Sequence, residues 1–138
     1  MMGKISDEAL VELARQARER SHCPYSNISV GAALLTREGK VYLGANIENA
    51  ALTPSVCAER VAFFKAISEG ESDFAKIAIA GAKRGEEARA LFPPCGVCRQ
   101  VMAEFCCGDF EILMAVDGGF EKMSLDEILP KRFDNSKM

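Results

Sequence analysis

Apolar residues first recur at helical spacing, as Ala9, Leu10, Leu13, Ala14 and Ala17, with Ser6-Asp7 placed to cap the free N–H groups ahead of them. This predicts an amphipathic helix over 7–20, ended by Pro24. The period then changes. Val30–Thr36 and Lys40–Asn46 are two apolar runs around Arg37-Glu38-Gly39, the pattern of a β-hairpin. Residues 56–69 return to helical spacing and stop at Gly70. Ala75–Ala82 reads as a buried strand, 83–92 as a charged surface loop, and Pro94 to about Cys106 as a further helix. Ile112–Val116 is a strand, Phe120–Met123 a short one after Asp117-Gly118-Gly119, and Ser124–Leu129 a capped helix stopped by Pro130. The order α-β-β-α-β-α-β-β-α implies a mixed sheet with helices on both faces.

At 138 residues, 49% of them hydrophobic and 27% charged, the chain is long enough for one core and too apolar for disorder, so residues 1–138 are expected to form a single domain. A net charge of −3 provides no basic field for a nucleic-acid backbone. No apolar run reaches bilayer length, and Met1–Glu8 lacks the apolar segment of a secretory signal, so no membrane partner is expected and the expected compartment is the cytoplasm. Six cysteines in a reducing compartment favour metal or catalytic use over disulfides. With His22 the sole histidine, any metal site must be built mainly from thiolates.

Two clusters carry such chemistry. Cys57-Ala58-Glu59-Arg60 begins one predicted helix and Pro94-Cys95-Gly96-Val97-Cys98-Arg99 begins another. Cys-x-x-Cys on a first helical turn puts both sulfurs on one side at a separation suited to tetrahedral zinc, and no thioredoxin-like context supports a redox dithiol. Cys57, Cys95 and Cys98 together make three ligands, which leaves a fourth position for water, while Glu59 lies within reach of that water as a proton shuttle. Three thiolates around Zn²⁺ leave a net −1, which opposes acidification of a bound water. Arg60 is expected to offset this by hydrogen bonding to sulfur, whereas Arg99 reads equally well as a solvated helix position.

The chain resembles the small, homotetrameric cytidine deaminases of the zinc-dependent deaminase superfamily, whose zinc, glutamate and Pro-Cys-x-x-Cys chemistry is known for the class as a whole. The resemblance runs from about His22 to Phe133 and rests on Cys23-Pro24-Tyr25-Ser26, Val30-Gly31-Ala32-Ala33-Leu34, Asn46-Ile47-Glu48-Asn49-Ala50, both zinc motifs, and Leu129-Pro130 with Phe133. It implies a three-layer α-β-α sandwich around a five-stranded mixed sheet and one Zn²⁺ per chain on Cys57, Cys95 and Cys98. Glu59 is then the proton shuttle, and cytidine or deoxycytidine the substrate. By the same resemblance Asn46 and Glu48 bind the ribose hydroxyls and the backbone N–H of Ala58 holds the base carbonyl. Phe133 then reaches a neighbouring subunit's pocket in a homotetramer; its alternative is terminal core packing.

Three positions depart from that pattern. Ile28, beside the base, stands where the family commonly has an aromatic, Leu52 where it has tyrosine, and Pro93 where it has serine. These keep a second substrate open, a cytosine-containing antibiotic such as blasticidin S, although the intact Asn46–Asn49 segment favours nucleosides. A non-catalytic structural zinc module, closed by Cys106 or Cys107, is the reading from another class, and Glu59 argues against it. Cys23 reads as a core thiol, His22 as a surface loop residue, and Met1, Met2 and Asp134–Met138 as frayed ends.

Overall fold

A computed structural model describes residues 4–138, so Met1 and Met2 lie outside the described residues. Helix α1 (Asp7–Ala17) is capped by Ser6, whose side chain accepts from the Ala9 N–H at 3.1 Å. It ends three residues earlier than the spacing predicts and continues as a 3₁₀ turn over Arg18–Arg20. Its buried face is Leu10, Val11, Ala14 and Ala17, with Ala9 exposed. Strands β1 (Ile28–Thr36) and β2 (Val41–Ala45) form the expected hairpin. There follow α2 (Ala58–Ser68), β3 (Phe74–Lys83), α3 (Gly96–Phe105), β4 (Glu111–Val116) and β5 (Gly119–Ser124). Helix α4 (Leu125–Ile128) is a single turn held by a Ser124/Glu127 capping box. The tail is ordered differently from the expectation of fraying, because Asp134 caps a 3₁₀ turn over Asn135–Lys137.

The sheet order is β2-β1-β3-β4-β5, with β3 and β4 parallel and every other neighbour antiparallel. A parallel pair needs a crossover, and α3 supplies it. Central strands read as nearly unbroken apolar runs because both faces are covered. Ala33, Leu35, Ala78, Ala80, Leu113 and Ala115 pack under α1. Alternate residues, among them Val30, Leu34, Ile77, Ile79, Ile112 and Met114, pack with Phe63, Met102 and Leu125 from α2, α3 and α4. Phe63 meets Phe74 edge-on, with ring centroids 5.2 Å apart.

Two features fix the helices on this sheet. At Gly44 of β2 an added Cβ would lie 2.7 Å from the Ala62 nitrogen and closer still to the Ala58 carbonyl oxygen, so α2 sits directly on the strand backbone. On the opposite face Asp7 of α1 pairs with Lys76 of β3 at 2.8 Å and Lys122 of β5 at 2.9 Å, and Glu111 of β4 lies 3.1 Å from Lys76. The four charges alternate in sign. No helix among the described residues is long and apolar enough to cross a membrane.

Candidate active site

Cys57 is the N-cap of α2 and Cys95 the N-cap of α3, both with extended backbone and neither making a side-chain cap bond. Both sulfurs therefore stand at helix N-termini, where the positive end of the helix dipole favours thiolate. Cys98 is buried on the first turn of α3. The Cys57–Cys95 and Cys95–Cys98 Sγ distances are 3.7 and 3.6 Å, and all three sulfurs lie within 4.8 Å of one another. A tetrahedral zinc with Zn–S of about 2.3 Å requires S···S of about 3.8 Å, so these residues fit the ion. Cys106 and Cys107 follow the C-terminal end of α3, about 16 Å along the helix from Cys95 at 1.5 Å per residue. They cannot close the same tetrahedron. Among the described residues the metal-ligating cluster is Cys57, Cys95 and Cys98 alone, as expected, and the alternative of a structural module closed by Cys106 or Cys107 loses its fourth ligand.

Arg60 Nη2 donates to Cys57 Sγ at 3.4 Å. Hydrogen bonding from the Cys98 thiol, and then from Arg60, pulls the Cys57 thiol down to about 5 from 9.0. Cys98 moves the opposite way, pushed up by its bond to Cys57 and by burial. Arg99 does neither of the two things the sequence suggests. It is half-buried, donates to the Pro94 carbonyl at 2.8 Å and the Ile128 carbonyl at 2.7 Å, and so straps the Cys95 loop to the end of α4.

Beside the sulfurs is a cavity of about 390 Å³, at the end of the sheet where β2 and β3 finish and β1 begins. Cys57, Glu59, Arg60 and Cys95 line it, together with Asn46 and Glu48 from the segment after β2. Glu59 is only 3% exposed, and burial raises its carboxyl to about 7. Asn46 Oδ1 accepts from the Val30 N–H and its Nδ2 donates to the Ile28 carbonyl, both at 2.8 Å, a duty to β1 that the sequence does not announce. Glu48 accepts from the backbone N–H groups of Tyr25 (2.9 Å) and Ser26 (3.1 Å) and from the Ser26 hydroxyl, which holds its carboxyl below the ordinary range. Ala58 is fully buried at the first position of α2.

Residues 4–114 match the model of the cytidine and deoxycytidylate deaminase zinc-binding region. The chain belongs to this deaminase family. The cytidine deaminase of Halalkalibacterium halodurans is 43% identical over 132 residues, covering 95% of this chain and 96% of the relative. A crystal structure of cytidine deaminase from Burkholderia pseudomallei superimposes with a TM-score of 0.84 at 41% identity, covering 94% of this chain and all of the other. The blasticidin-S deaminase of Bacillus cereus is 31% identical, with 94% of each chain covered.

Within this deaminase fold the departures fall around the cavity. Ile28 and Pro93 line it. Leu52 is 71% exposed in an adjoining hollow that shares Ser26, Glu48 and Ser55 with the cavity, and has φ +64°, an uncommon conformation for a branched side chain. Phe133 is 63% exposed, its carbonyl held by Gln100 Nε2 at 2.8 Å, so terminal core packing is excluded for it. Cys23 is buried and His22 exposed, as the sequence suggests. Sequence reasoning missed several lining residues, among them Ser26, Ser55, Val56 and Phe92. Ser26 had a signal in the Cys-Pro-Tyr-Ser match; Phe92 had none, since it lies in a loop without periodicity.

Proposed function

We propose that the chain is a zinc-dependent deaminase that converts cytidine or deoxycytidine and water to the uracil nucleoside and ammonia. The observation that carries this reading is a buried carboxyl, Glu59, lining the same cavity as Cys57, Cys95, Asn46 and Glu48. When bound by Cys57, Cys95 and Cys98, zinc supplies Lewis acidity that makes water nucleophilic near neutral pH. Glu59 takes a proton from the water that attacks C4, delivers it to N3, and passes the next to the departing amine nitrogen. A carboxyl raised to about 7 is suited to give and take protons at that pH. The first-turn N–H of Ala58, which has no intrahelical acceptor, holds the base carbonyl. Arg60 lowers the charge on Cys57 by its hydrogen bond.

The sugar reading follows from the polar valences that remain. Asn46 Nδ2 has two hydrogens and uses one on Ile28. Glu48 has about four acceptor sites, and three are taken by Tyr25 and Ser26. One donor and one acceptor are left, the complement of a hydroxyl that accepts and donates at once. The exposed Phe133 supports a homotetramer in which that ring enters a neighbour's pocket. Free thiols at the site and a net charge of −3 support a reducing cytoplasm and a small-molecule partner, not nucleic acid.

Ammonia release by zinc-loaded protein, measured on cytidine, deoxycytidine, cytosine and blasticidin S, tests this reading. Turnover of the two nucleosides well above the others is expected. Turnover of blasticidin S alone would move the chain to the antibiotic reading, and no turnover of any would refute deamination.

A further inference from the structure

We propose that Phe92, seated on Gly81, is the aromatic wall against which the pyrimidine ring rests; this depends on the nucleoside reading above. Phe92 is the single aromatic side chain lining the catalytic cavity among the described residues. It comes from the loop between β3 and α3, two residues before Pro94, and packs half-buried against the core beneath α2 and α3. Its place is prepared by β3. Ile77, Ile79 and Gly81 share one face of that strand, and the first two fill the core with large side chains. At Gly81 the strand carries nothing instead. An added Cβ there would stand 2.5 Å from Phe92 Cγ and 2.7 and 2.8 Å from the two Cδ atoms. The ring thus occupies the space a third strand side chain would take. Gly81 pairs in register with Val30, which lines the cavity together with Ile28 two positions before it, so β1 sets aliphatic groups of the pocket beside the strand position the ring covers.

A planar, electron-poor base gains from an aromatic face in a way a saturated ring cannot, because contact over the whole π surface needs planarity. Uridine, the product, and 5,6-dihydrouridine, its puckered analogue, separate that contact from the sugar contacts they share. Calorimetric binding of both to zinc-loaded wild type, Phe92→Leu, Phe92→Tyr and Gly81→Ala is the test, with zinc content, melting temperature, and kcat and KM for cytidine measured alongside. Phe92→Leu is expected to weaken uridine binding and raise KM about fivefold or more. It should leave kcat within about threefold, keep one zinc per chain, and shrink the preference for uridine over dihydrouridine. Phe92→Tyr should restore that preference, and Gly81→Ala, which displaces the ring, should reproduce the leucine variant. An unchanged preference in a folded Phe92→Leu protein overturns the proposal, as does a loss confined to kcat or zinc content. If wild type binds uridine but Phe92→Leu binds it equally, the nucleoside reading stands and this one fails. If wild type neither binds uridine nor deaminates cytidine, both fail.

Discussion

Substituting Gly44 by alanine should disable the site from the far side of α2 without touching any residue of the cavity. The new Cβ would lie 2.7 Å from the Ala62 nitrogen, and ordinary contact begins at 3.4 Å, so α2 must retreat by at least 0.7 Å. The Ala58 carbonyl, closer still, forces the displacement onto the very turn that carries Cys57 and Glu59. Metal–sulfur distances tolerate about 0.2 Å, and a 1 Å misplacement of reacting groups costs on the order of a hundredfold in rate. Overpacking of a tight contact also destabilises by about 1–3 kcal/mol. Gly44→Ala should therefore lower the urea midpoint, lower zinc per chain after dialysis against a weak chelator, and reduce kcat/KM about a hundredfold. Gly96→Ala is the control: its Cβ would meet nothing within 4 Å on a helical first turn, so stability and activity should hold. Full zinc and kcat/KM within threefold of wild type in Gly44→Ala would refute the reasoning, because α2 would then not carry Cys57 and Glu59 as a rigid unit.

Glu59→Gln should retain zinc and fold while kcat falls by about 10²–10⁴, since the amide fills the same space but moves no proton; stopped-flow absorbance of cytidine and metal analysis read the two effects separately. Deoxycytidine should be turned over within about tenfold of cytidine, because one hydroxyl satisfies both the remaining Asn46 donor and the remaining Glu48 acceptor, with one neutral bond worth about 0.5–1.5 kcal/mol; a ratio above a hundred in kcat/KM would disprove this count. Asp7→Asn should cost about 1 kcal/mol at pH 7. The Lys76 hydrogen bond lowers the Asp7 carboxyl below its ordinary 3.8, so its contribution is complete above that value and is lost as pH falls through the lowered one. Urea melts of wild type and variant should therefore converge in strong acid, and a gap that stays constant down to pH 2 would contradict the ion-pair account.

The parts legible in sequence are those fixed by neighbours along the chain. Cys57, Cys95 and Cys98 were readable because a ligand set at two helix starts is a matter of spacing. The hairpin was readable because Arg37-Glu38-Gly39 separates two apolar runs, and the last helix because Ser124 and Glu127 cap it locally. What was not legible depends on residues meeting across the fold. Phe92 gains its place only from Gly81 on another element, and Asn46 is held by β1 through two bonds 16 and 18 positions away. Arg99, next to a ligand in sequence, proves to serve the carbonyl of Ile128, 29 positions on. The ring of Asp7, Lys76, Glu111 and Lys122 draws on four elements and no local pattern foretells it.

The sulfurs of Cys57 and Cys95 meet from points 38 positions apart, on two helices that otherwise share little surface. An ion bound there is a cross-link as well as a reagent. A covalent tie across a span of that length removes about 4 kcal/mol of unfolded-chain entropy, and a coordinated metal works on the same loop. Its hold is a matter of mass action, growing with the logarithm of free metal. The amount of folded chain is thereby tied to metal supply, so scarcity removes activity and shrinks the folded population together.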